Sequence, residues 1–228
     1  MLLQVVMDTA HSAAAVTASP PPSLSLLDLI MKGGWVMIPI GFLSVVSVFL
    51  IIERYLTISK ASKVDPNFMN NIRTLLLDRK MDAALTMCRS TNTPIARLLE
   101  KGIKRLGRPI ADIERSVEDV GKLEIYKLEK NLAYLGIISG IAPMFGFVGT
   151  ISGVIKIFYN ISLADNISIG LIAGGLYEKM ITSAAGLVVG ILAHIGFHYL
   201  NARIDRVSYQ LESTAVDFID LIQEPASK

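Results

Sequence analysis

The 228-residue sequence has little cysteine and little charge. Its single cysteine, Cys88, cannot form a disulfide within the chain, which excludes a disulfide-stapled secreted fold and a cysteine-based zinc or iron–sulfur site. Charged residues make up 18% of the chain, against about 25% in a typical soluble domain. The net charge of +2, with no basic stretch interleaved with aromatic residues, gives no reason to expect a nucleic-acid partner.

The sequence also lacks the motifs by which many enzymes hold nucleotides and metals. No G-x-G-x-x-G loop, Walker A loop or H-E-x-x-H pair is present, and no nucleophile–base pair stands out. We therefore predict that the chain is not an enzyme and that it holds no cofactor and no metal. No segment shows the alternating pattern of a β-strand, so the predicted fold class is all-α.

What the sequence does contain is three long runs without Asp, Glu, Lys or Arg. They are 20, 25 and 23 residues long and cover Gly33–Ile52, Asn131–Ile155 and Met180–Ala202. About 20 residues of helix, at 1.5 Å per residue, cross the hydrocarbon core of a bilayer. The sequence therefore predicts an integral membrane protein with three transmembrane helices.

The distribution of lysine and arginine predicts the orientation of these helices. Fifteen of the 22 basic residues lie at 60–130, whereas 157–177 has none and 1–35 has one. Basic residues close to membrane ends stay in the cytoplasm. We therefore expect the N-terminus and the 157–177 segment in the periplasm, and the 60–130 segment and the tail in the cytoplasm.

The predicted chain has seven consecutive parts. They are a periplasmic N-terminal arm (1–35), the first transmembrane helix (36–58), a cytoplasmic helical domain (59–130), the second transmembrane helix (131–157), a short periplasmic linker (158–170), the third transmembrane helix (171–202) and a cytoplasmic C-terminal helix (203–228). A cleaved signal peptide is the alternative for the start of the arm, but no lysine or arginine precedes its apolar stretch, as a signal requires.

Turn signals divide the cytoplasmic segment into helices. Thr93 followed by Pro94 is typical of a helix start, and residues 107–109, with a glycine and a proline, predict a break. Beyond Ile110 there is no strong breaker before Pro143. One long helix is therefore predicted to run from the cytoplasmic domain into the second span.

Apolar spacing in the tail predicts a packed helix face. Residues alternate at spacings of three and four, as Ile204, Val207, Leu211, Thr214, Phe218 and Leu221. This heptad-like seam predicts packing against the 60–130 helices or a neighbouring subunit, although an ordinary amphipathic helix on its own chain's core explains it equally well. Cys88 is expected to be a small buried hydrophobic residue.

Two polar side chains occupy matching positions in the predicted transmembrane hairpin. Thr150 and Glu178 are each 14 residues from position 164, the centre of the linker. With about six linker residues on each side, both lie about 12 Å of helix from the outer surface. An ionised carboxylate there costs at least about 2.5 kcal/mol, which favours the protonated form. Glu178 is thus predicted to bind and release a proton, the alternative being a structural carboxyl hydrogen-bonded between helices.

Other polar residues accompany Glu178 in the sequence. Thr182, four residues on, shares its helix face, and Ser183 lies on the flank. With Thr150 they complete the predicted proton pathway, although hydroxyls also serve as ordinary contacts between membrane helices. Lys179 is a candidate modulating charge. It could extend towards the membrane surface, pair with a carboxylate of another chain, or hold Glu178 ionised.

Glycines four residues apart line the second and third spans. The pairs are Gly136 with Gly140, Gly149 with Gly153, and Gly186 with Gly190. Such spacing lets helix backbones approach closely. We expect pore or subunit packing at Gly149, Gly153, Gly186 and Gly190, although packing within one chain has the same pattern. His194 and His198 share a helix face near the inner end and lack a third ligand, so we interpret them as interfacial rather than metal-binding.

Four segments resemble the MotA/TolQ/ExbB proton-channel family, and most of all its ExbB type. Residues 142–153 (APMFGFVGTISG) resemble the second-span motif of that family, and residues 175–187 (GLYEKMITSAAGL) resemble its third-span motif. Glu53-Arg54-Tyr55 at the end of the first span and the helix start at 94–99 (PIARLL) also fit. The resemblance covers about residues 36–205.

The resemblance implies a homo-pentamer whose second and third spans line a pore in the inner membrane of a Gram-negative bacterium. It also implies ExbD-like single-span subunits inside that pore, and a TonB-like protein that is energised by proton flow. Thr150 matches the second-span threonine of the family, Glu178 its third-span glutamate and Ser183 its third-span threonine. Lys179 replaces a residue that is usually small and apolar, which leaves open whether the transported ion is the expected proton.

The resemblance leaves several functions open. A TolQ-like stator for envelope integrity is the nearest alternative to an ExbB-like role, which the extended N-terminal arm favours. The MotA type usually has four spans and fits less well. A passive membrane scaffold, in which Glu178 is only structural, is an alternative of a different class.

Overall fold

The computed structural model describes residues 33–63, 65, 67–163 and 169–223, apart from the side chains of Leu171 and Glu178. These residues form seven α-helices: α1 (Met37–Ala61), α2 (Phe68–Leu77), α3 (Met81–Thr91), α4 (Pro94–Ile103), α5 (Ile110–Glu129), α6 (Leu132–Leu163) and α7 (Ile169–Gln223). Most of the predicted N-terminal arm and the centre of the predicted linker lie outside the described residues.

Three helical stretches are long and apolar enough to cross a membrane: Met37–Ala61, Ile110–Leu163 and Ile172–Gln223. The described part of the chain is therefore all-helical with three candidate membrane spans, as the sequence predicts. Helices α6 and α7 flank residues 164–168 at one end of the spans, here called the loop end. The opposite end of the spans, beside helices α2–α5, is here called the domain end.

Helices α6 and α7 form an antiparallel hairpin, and α1 packs along one side of it. Near the loop end, Val36 and Ile40 are buried against Ala142 of α6 and Val189 of α7. Near the domain end, the Ile51 side chain of α1 packs against Gly196 of α7. Each span thus buries one apolar stripe and leaves the rest of its apolar surface open to lipid or to other subunits.

The long helix α7 continues from the hairpin into the helical domain. Its predicted seam is buried there: Ile204, Val207, Leu211 and Phe218 are each at most 1% exposed. They join one hydrophobic core with residues of α4 and α5, including Leu98 and Val117. Within the described residues, the seam therefore packs on the 60–130 helices of its own chain.

Local signals in the helical domain act as predicted. The Oγ1 atom of Thr93 accepts a hydrogen bond from the backbone N–H of Ala96 at 3.3 Å, which caps α4, and Pro94 is its first residue. Gly107, with φ of +90°, lies in the break between α4 and α5. Cys88 is 1% exposed, the small buried residue that was expected.

The long helix predicted from Ile110 into the second span is interrupted once. α5 ends at Glu129 and α6 begins at Leu132. Between them, Lys130 has an extended ψ of 134° and Asn131 a positive φ of 70°. Asparagine tolerates this left-handed conformation better than most residues, because its short side chain hydrogen-bonds locally. The break falls at the first residue of the uncharged run.

Candidate functional site

The contacts between α6 and α7 set the height of each polar residue in the hairpin. The Thr182 side chain packs against Gly149, where an added Cβ would lie 2.8 Å from its Cγ2 atom, and the stem of Lys179 covers Gly153. The midpoints of both pairs fall within two residues of position 164. The backbone at Glu178, next to Lys179, is therefore about one helical turn in height from Thr150.

The hairpin extends beyond the start of α1 at the loop end. Among the described residues that lead into α1 (33–36), Val36 packs near Gly149 and Gly34 lies near the Lys179 ammonium. From Gly153 to the end of α6 at Leu163 is about 15 Å of helix. Helix α1 thus begins near the level of Gly149, about one turn short of the level of Glu178, and beyond its start the hairpin has no α1 beside it.

Thr182 faces α1 and takes part in the packing of the chain. Its side chain is fully buried, and its hydroxyl donates a hydrogen bond to the carbonyl oxygen of Gly33 at 3.2 Å. Gly33 immediately precedes the turn that starts α1. This threonine therefore holds the beginning of the first span against the third span.

Thr150 and Ser183 lie on the side of the hairpin that is turned away from α1. Each is one residue, or about 100° of helix, past a residue that contacts the start of α1, namely Gly149 and Thr182. Thr150 is half-buried and its hydroxyl donates to the carbonyl oxygen of Phe147 at 2.7 Å. Ser183 is also half-buried. We call this side of the hairpin the open face.

Lys179 is folded onto its own chain. Its side-chain stem lies across Gly153, and its Nζ atom is 3.8 Å from where a Cβ of Gly34 would be. The long apolar stem is thus covered by α6, while the ammonium lies towards the start of α1. Among the described residues it forms no ion pair.

The glycines predicted for pore or subunit packing lie between the two helices of one hairpin. A Cβ on Gly186 would be 2.6 Å from the Ala142 carbonyl oxygen, and one on Gly190 would be 2.7 Å from Cδ of Pro143. Gly149 and Gly153 face α7 as described above. Their small size therefore allows the close approach of α6 to α7 within a chain.

His194 and His198 are exposed at the middle of α7, in the second half of the uncharged run 180–202. Their rings meet edge to face with centroids 4.4 Å apart, and the His198 ring also contacts Phe197 at 5.2 Å. Among the described residues, no group of three or more His, Cys, Asp or Glu could hold a metal ion.

A buried arginine joins the first span to the break between α5 and α6. Arg54 is 7% exposed. Its Nη1 atom donates to the carbonyl oxygens of Lys130 at 2.8 Å and of Lys127 at 3.4 Å, and its guanidinium also pairs with Glu53. These carbonyls are among those that a helix end leaves without an intrahelical partner. In the sequence, Arg54 stands out only as part of a family motif; its further signal is an arginine at the end of an apolar run.

A second polar cluster connects α4 to α5 beside this break. Glu124 is 3% exposed and accepts hydrogen bonds from Arg97 at 2.5 Å and from Lys127 at 2.6 Å. On the other side of α1, the guanidinium of Arg203 lies over the rings of Tyr55 and Tyr199, 5.0 and 5.2 Å from their centroids. Cation–π contacts of this kind fix the last turns of α1 to the middle of α7.

Several groups in the helical domain have shifted pKa values, and one of them, Glu100, affects another, Cys88. Hydrogen bonds from Lys104 at 2.7 Å and Arg89 at 2.9 Å lower the pKa of Glu100 below its usual value. Burial raises the pKa of the Cys88 thiol to about 11, and the negative charge of Glu100 adds to the effect. Cys88 lies on α3 and Glu100 on α4, and neither is close to the hairpin.

The fold and the site together define a multi-pass helical membrane protein with polar side chains set into its second and third spans. The model of the MotA/TolQ/ExbB proton channel family matches residues 90–213, a stretch that contains Thr150, Glu178 and Ser183. The chain therefore belongs to the MotA/TolQ/ExbB proton channel family, as its motifs suggest, and it resembles ExbB proteins.

Individual relatives agree with this assignment. The chain is 27% identical to an ExbB-like biopolymer transport protein of Synechocystis, over 85% of this chain and 74% of the relative. It is 25% identical to the Tol-Pal system protein TolQ of Haemophilus influenzae, over 89% of this chain and 96% of the relative. It is 22% identical to the biopolymer transport protein ExbB of Neisseria meningitidis, over 77% and 84%.

Proposed function

We propose that this protein is the proton-channel stator subunit of an inner-membrane motor that uses the proton motive force to energise TonB-dependent outer-membrane transport. In this role it forms a homo-pentamer around ExbD-like single-span subunits and works with a TonB-like protein. Its N-terminus is periplasmic and its C-terminus cytoplasmic, in the inner membrane of a Gram-negative bacterium. The transported ion is a proton, and no cofactor takes part.

One observation carries this proposal: Thr150 and Ser183 lie at similar heights on the open face of the hairpin, about one turn from the level of Glu178. The hydroxyls of Thr150 and Ser183 do not make the contact with the start of α1 that Thr182 makes. Glu178 is the proton carrier in the proposed pathway, with Thr150, Ser183 and Thr182 beside it. A single charge that crosses the membrane field releases about 2.3 kcal/mol per 100 mV, so that several protons can drive one mechanical step.

Lys179 modulates this site in the proposed mechanism. Lys179 directly follows Glu178 in the sequence, and its ammonium lies near Gly34 at the start of α1, which supports an electrostatic effect on the entry to the site. A fixed positive charge at the outer mouth repels cations that arrive from the periplasm and favours the ionised carboxylate. Lys179→Met is therefore expected to raise the rate of proton entry, measured as the initial rate of proton flux.

A TolQ-like stator that maintains envelope integrity is the second candidate. It is favoured by the match to TolQ, which covers 96% of that relative. Deleting the gene in its own host separates the two roles. Loss of uptake through TonB-dependent transporters supports the ExbB-like role, whereas sensitivity to detergents with normal uptake supports the TolQ-like role.

The channel itself is tested by replacing Glu178. The full-length protein is extracted with its co-purifying subunits, reconstituted into liposomes that contain a pH-sensitive dye, and exposed to a membrane potential. Glu178→Gln should abolish proton flux while the mass of the complex stays unchanged. The matched control is Glu129→Gln, because Glu129 is exposed on α5. A Glu178→Gln complex that conducts like the wild type would support the passive scaffold instead.

A further inference from the structure

Two histidines in the third span have no part in the function proposed above. His194 and His198 are one helical turn apart on α7, and their ring centroids are 4.4 Å apart. Both side chains are exposed on the single chain. An ionisable side chain inside a membrane span is costly, and such residues almost always face a water-filled cavity or a protein partner. Two adjacent imidazoles in a span therefore need a functional explanation.

The pair lies on the open face of the hairpin. His194 is 11 residues from Ser183, which is about 16 Å along α7 towards the domain end and about 20° around the helix. Gly196, between the two histidines, faces Ile51 of α1, whereas Phe197 faces Gly136 of α6. The imidazoles are therefore turned away from α1, on the side that carries Thr150 and Ser183.

The ionisable groups around the histidine pair lie on α1, α6 and α7 itself. The ionisable groups at this height are Tyr134 on α6, Glu53, Arg54 and Tyr55 on α1, and Tyr199, Arg203 and Asp205 on α7. Arg54 is bound to Glu53 and to the Lys130 carbonyl oxygen, and Arg203 stacks on the two tyrosines. Among the described residues, neither imidazole forms an ion pair.

We propose that His194 and His198 form a proton relay that carries protons from the level of Ser183 to the domain end of the open face. The relay rests on the proposed function, because it needs a proton that enters through Glu178. One ring nitrogen of an imidazole takes a proton from a chain of water molecules. The other ring nitrogen then releases its own proton to the next imidazole or to water, which restores the neutral ring. Imidazole suits this role because its charge changes between pH 5 and 8.

The test replaces both rings in the reconstituted full-length complex. The H194A/H198A variant should reduce proton flux by roughly tenfold, less than the ~10²-fold that a positioned acid–base group contributes, because water still carries part of the current. The dependence of flux on pH at the domain side should flatten between about pH 5.5 and 7.5. Added imidazole should restore flux, since each alanine leaves space for the missing ring.

The third histidine, His11, provides the matched control, since H11Q removes an imidazole from another part of the chain and should leave flux unchanged. Normal flux and pH dependence in H194A/H198A, with flux still abolished by Glu178→Gln, would overturn the relay alone. A wild-type complex that conducts no protons would overturn the relay together with the proposed function. If the double variant loses its oligomeric mass, H194A and H198A are tested singly against the same two readouts.

Discussion

The guanidinium of Arg54 donates a hydrogen bond to the carbonyl oxygen of Lys130, 76 residues further along the chain, at 2.8 Å. Lys130 is the last residue before the left-handed Asn131, where α5 gives way to α6. The bond therefore joins the end of the first span to the point at which the helical domain becomes the second span. Through this hydrogen bond, a change in the tilt of α6 at the break would also displace the end of α1.

Removing this bond should loosen the break. Arg54→Leu removes the guanidinium that binds the Lys127 and Lys130 carbonyl oxygens and the Glu53 carboxylate, which should cost about 3 kcal/mol. We expect a lower melting temperature in detergent and faster tryptic cleavage after Lys127 and Lys130. Arg54→Lys should recover only part of the loss, because an ammonium cannot reproduce the planar fork. Arg108→Leu, at an exposed position, is the control and should change neither measurement.

Much of the fold follows from local sequence signals. The three uncharged runs predict the spans because each is long enough to cross the hydrocarbon core of a bilayer as a helix. The Thr93-Pro94 pair predicts the start of α4, since a hydroxyl cap and a missing N–H suit a helix N-terminus. The break at Asn131 cannot be predicted from local signals, because the residue that stabilises it, Arg54, is distant in sequence.

The candidate site is only partly predictable for a similar reason. The equal spacing of Thr150 and Glu178 from position 164 predicts their heights in the hairpin to within about one helical turn, because both helices rise by the same distance per residue. It does not say on which side α1 packs. Helix spacing predicts both Thr182 and Ser183 for the proton pathway, but the hydrogen bond to Gly33 assigns Thr182 to the packing against α1 and leaves Ser183 on the open face.

The tight approach of α6 to α7 predicts a difference between two glycines. At Gly186 a Cβ would lie 2.6 Å from the Ala142 carbonyl oxygen and 3.0 Å from Cα of Gly146, both backbone atoms that cannot move aside. Gly186→Ala should therefore destabilise the hairpin by about 1–3 kcal/mol. Gly140→Ala is the matched control in the same hairpin, because nothing lies within 4 Å of its added Cβ. In thermal unfolding in detergent, Gly140→Ala should have the melting temperature of the wild type. Equal losses of stability in Gly140→Ala and Gly186→Ala would contradict the close packing of α6 on α7.

Substitutions at Thr182 and Ser183 should affect different properties, stability at Thr182 and proton conduction at Ser183. Thr182→Val keeps the shape of the side chain but leaves the buried Gly33 carbonyl oxygen without its hydroxyl donor, at a cost of about 1–3 kcal/mol. Ser183→Ala should change the melting temperature little and should lower proton flux in liposomes. The two variants are compared by melting temperature and by flux on the same preparations. A stable Thr182→Val protein, or a Ser183→Ala protein with normal flux, would contradict the assignment of the two hydroxyls.

Glu100 makes the stability of the helical domain dependent on pH. Ion pairs with Lys104 and Arg89 hold its pKa below the usual value, so the unfolded chain binds a proton more readily than the folded one. The stabilisation is therefore complete above the unfolded pKa and is lost as the pH falls through the lower, folded pKa. Glu100→Gln should destabilise the protein by about 0.5–1 kcal/mol at neutral pH, the size expected for accessible ion pairs.

In acid, below the folded pKa of Glu100, the difference between Glu100→Gln and the wild type should vanish, because both side chains are then uncharged. Melting temperatures across a pH series in detergent measure this, and added salt should shrink the difference at neutral pH, since it screens accessible charges. Glu114→Gln is the control, because Glu114 is exposed on α5 and forms no ion pair among the described residues. A difference for Glu100→Gln that persists unchanged into acid would show that packing of the side chain, rather than its charge, joins α3 to α4.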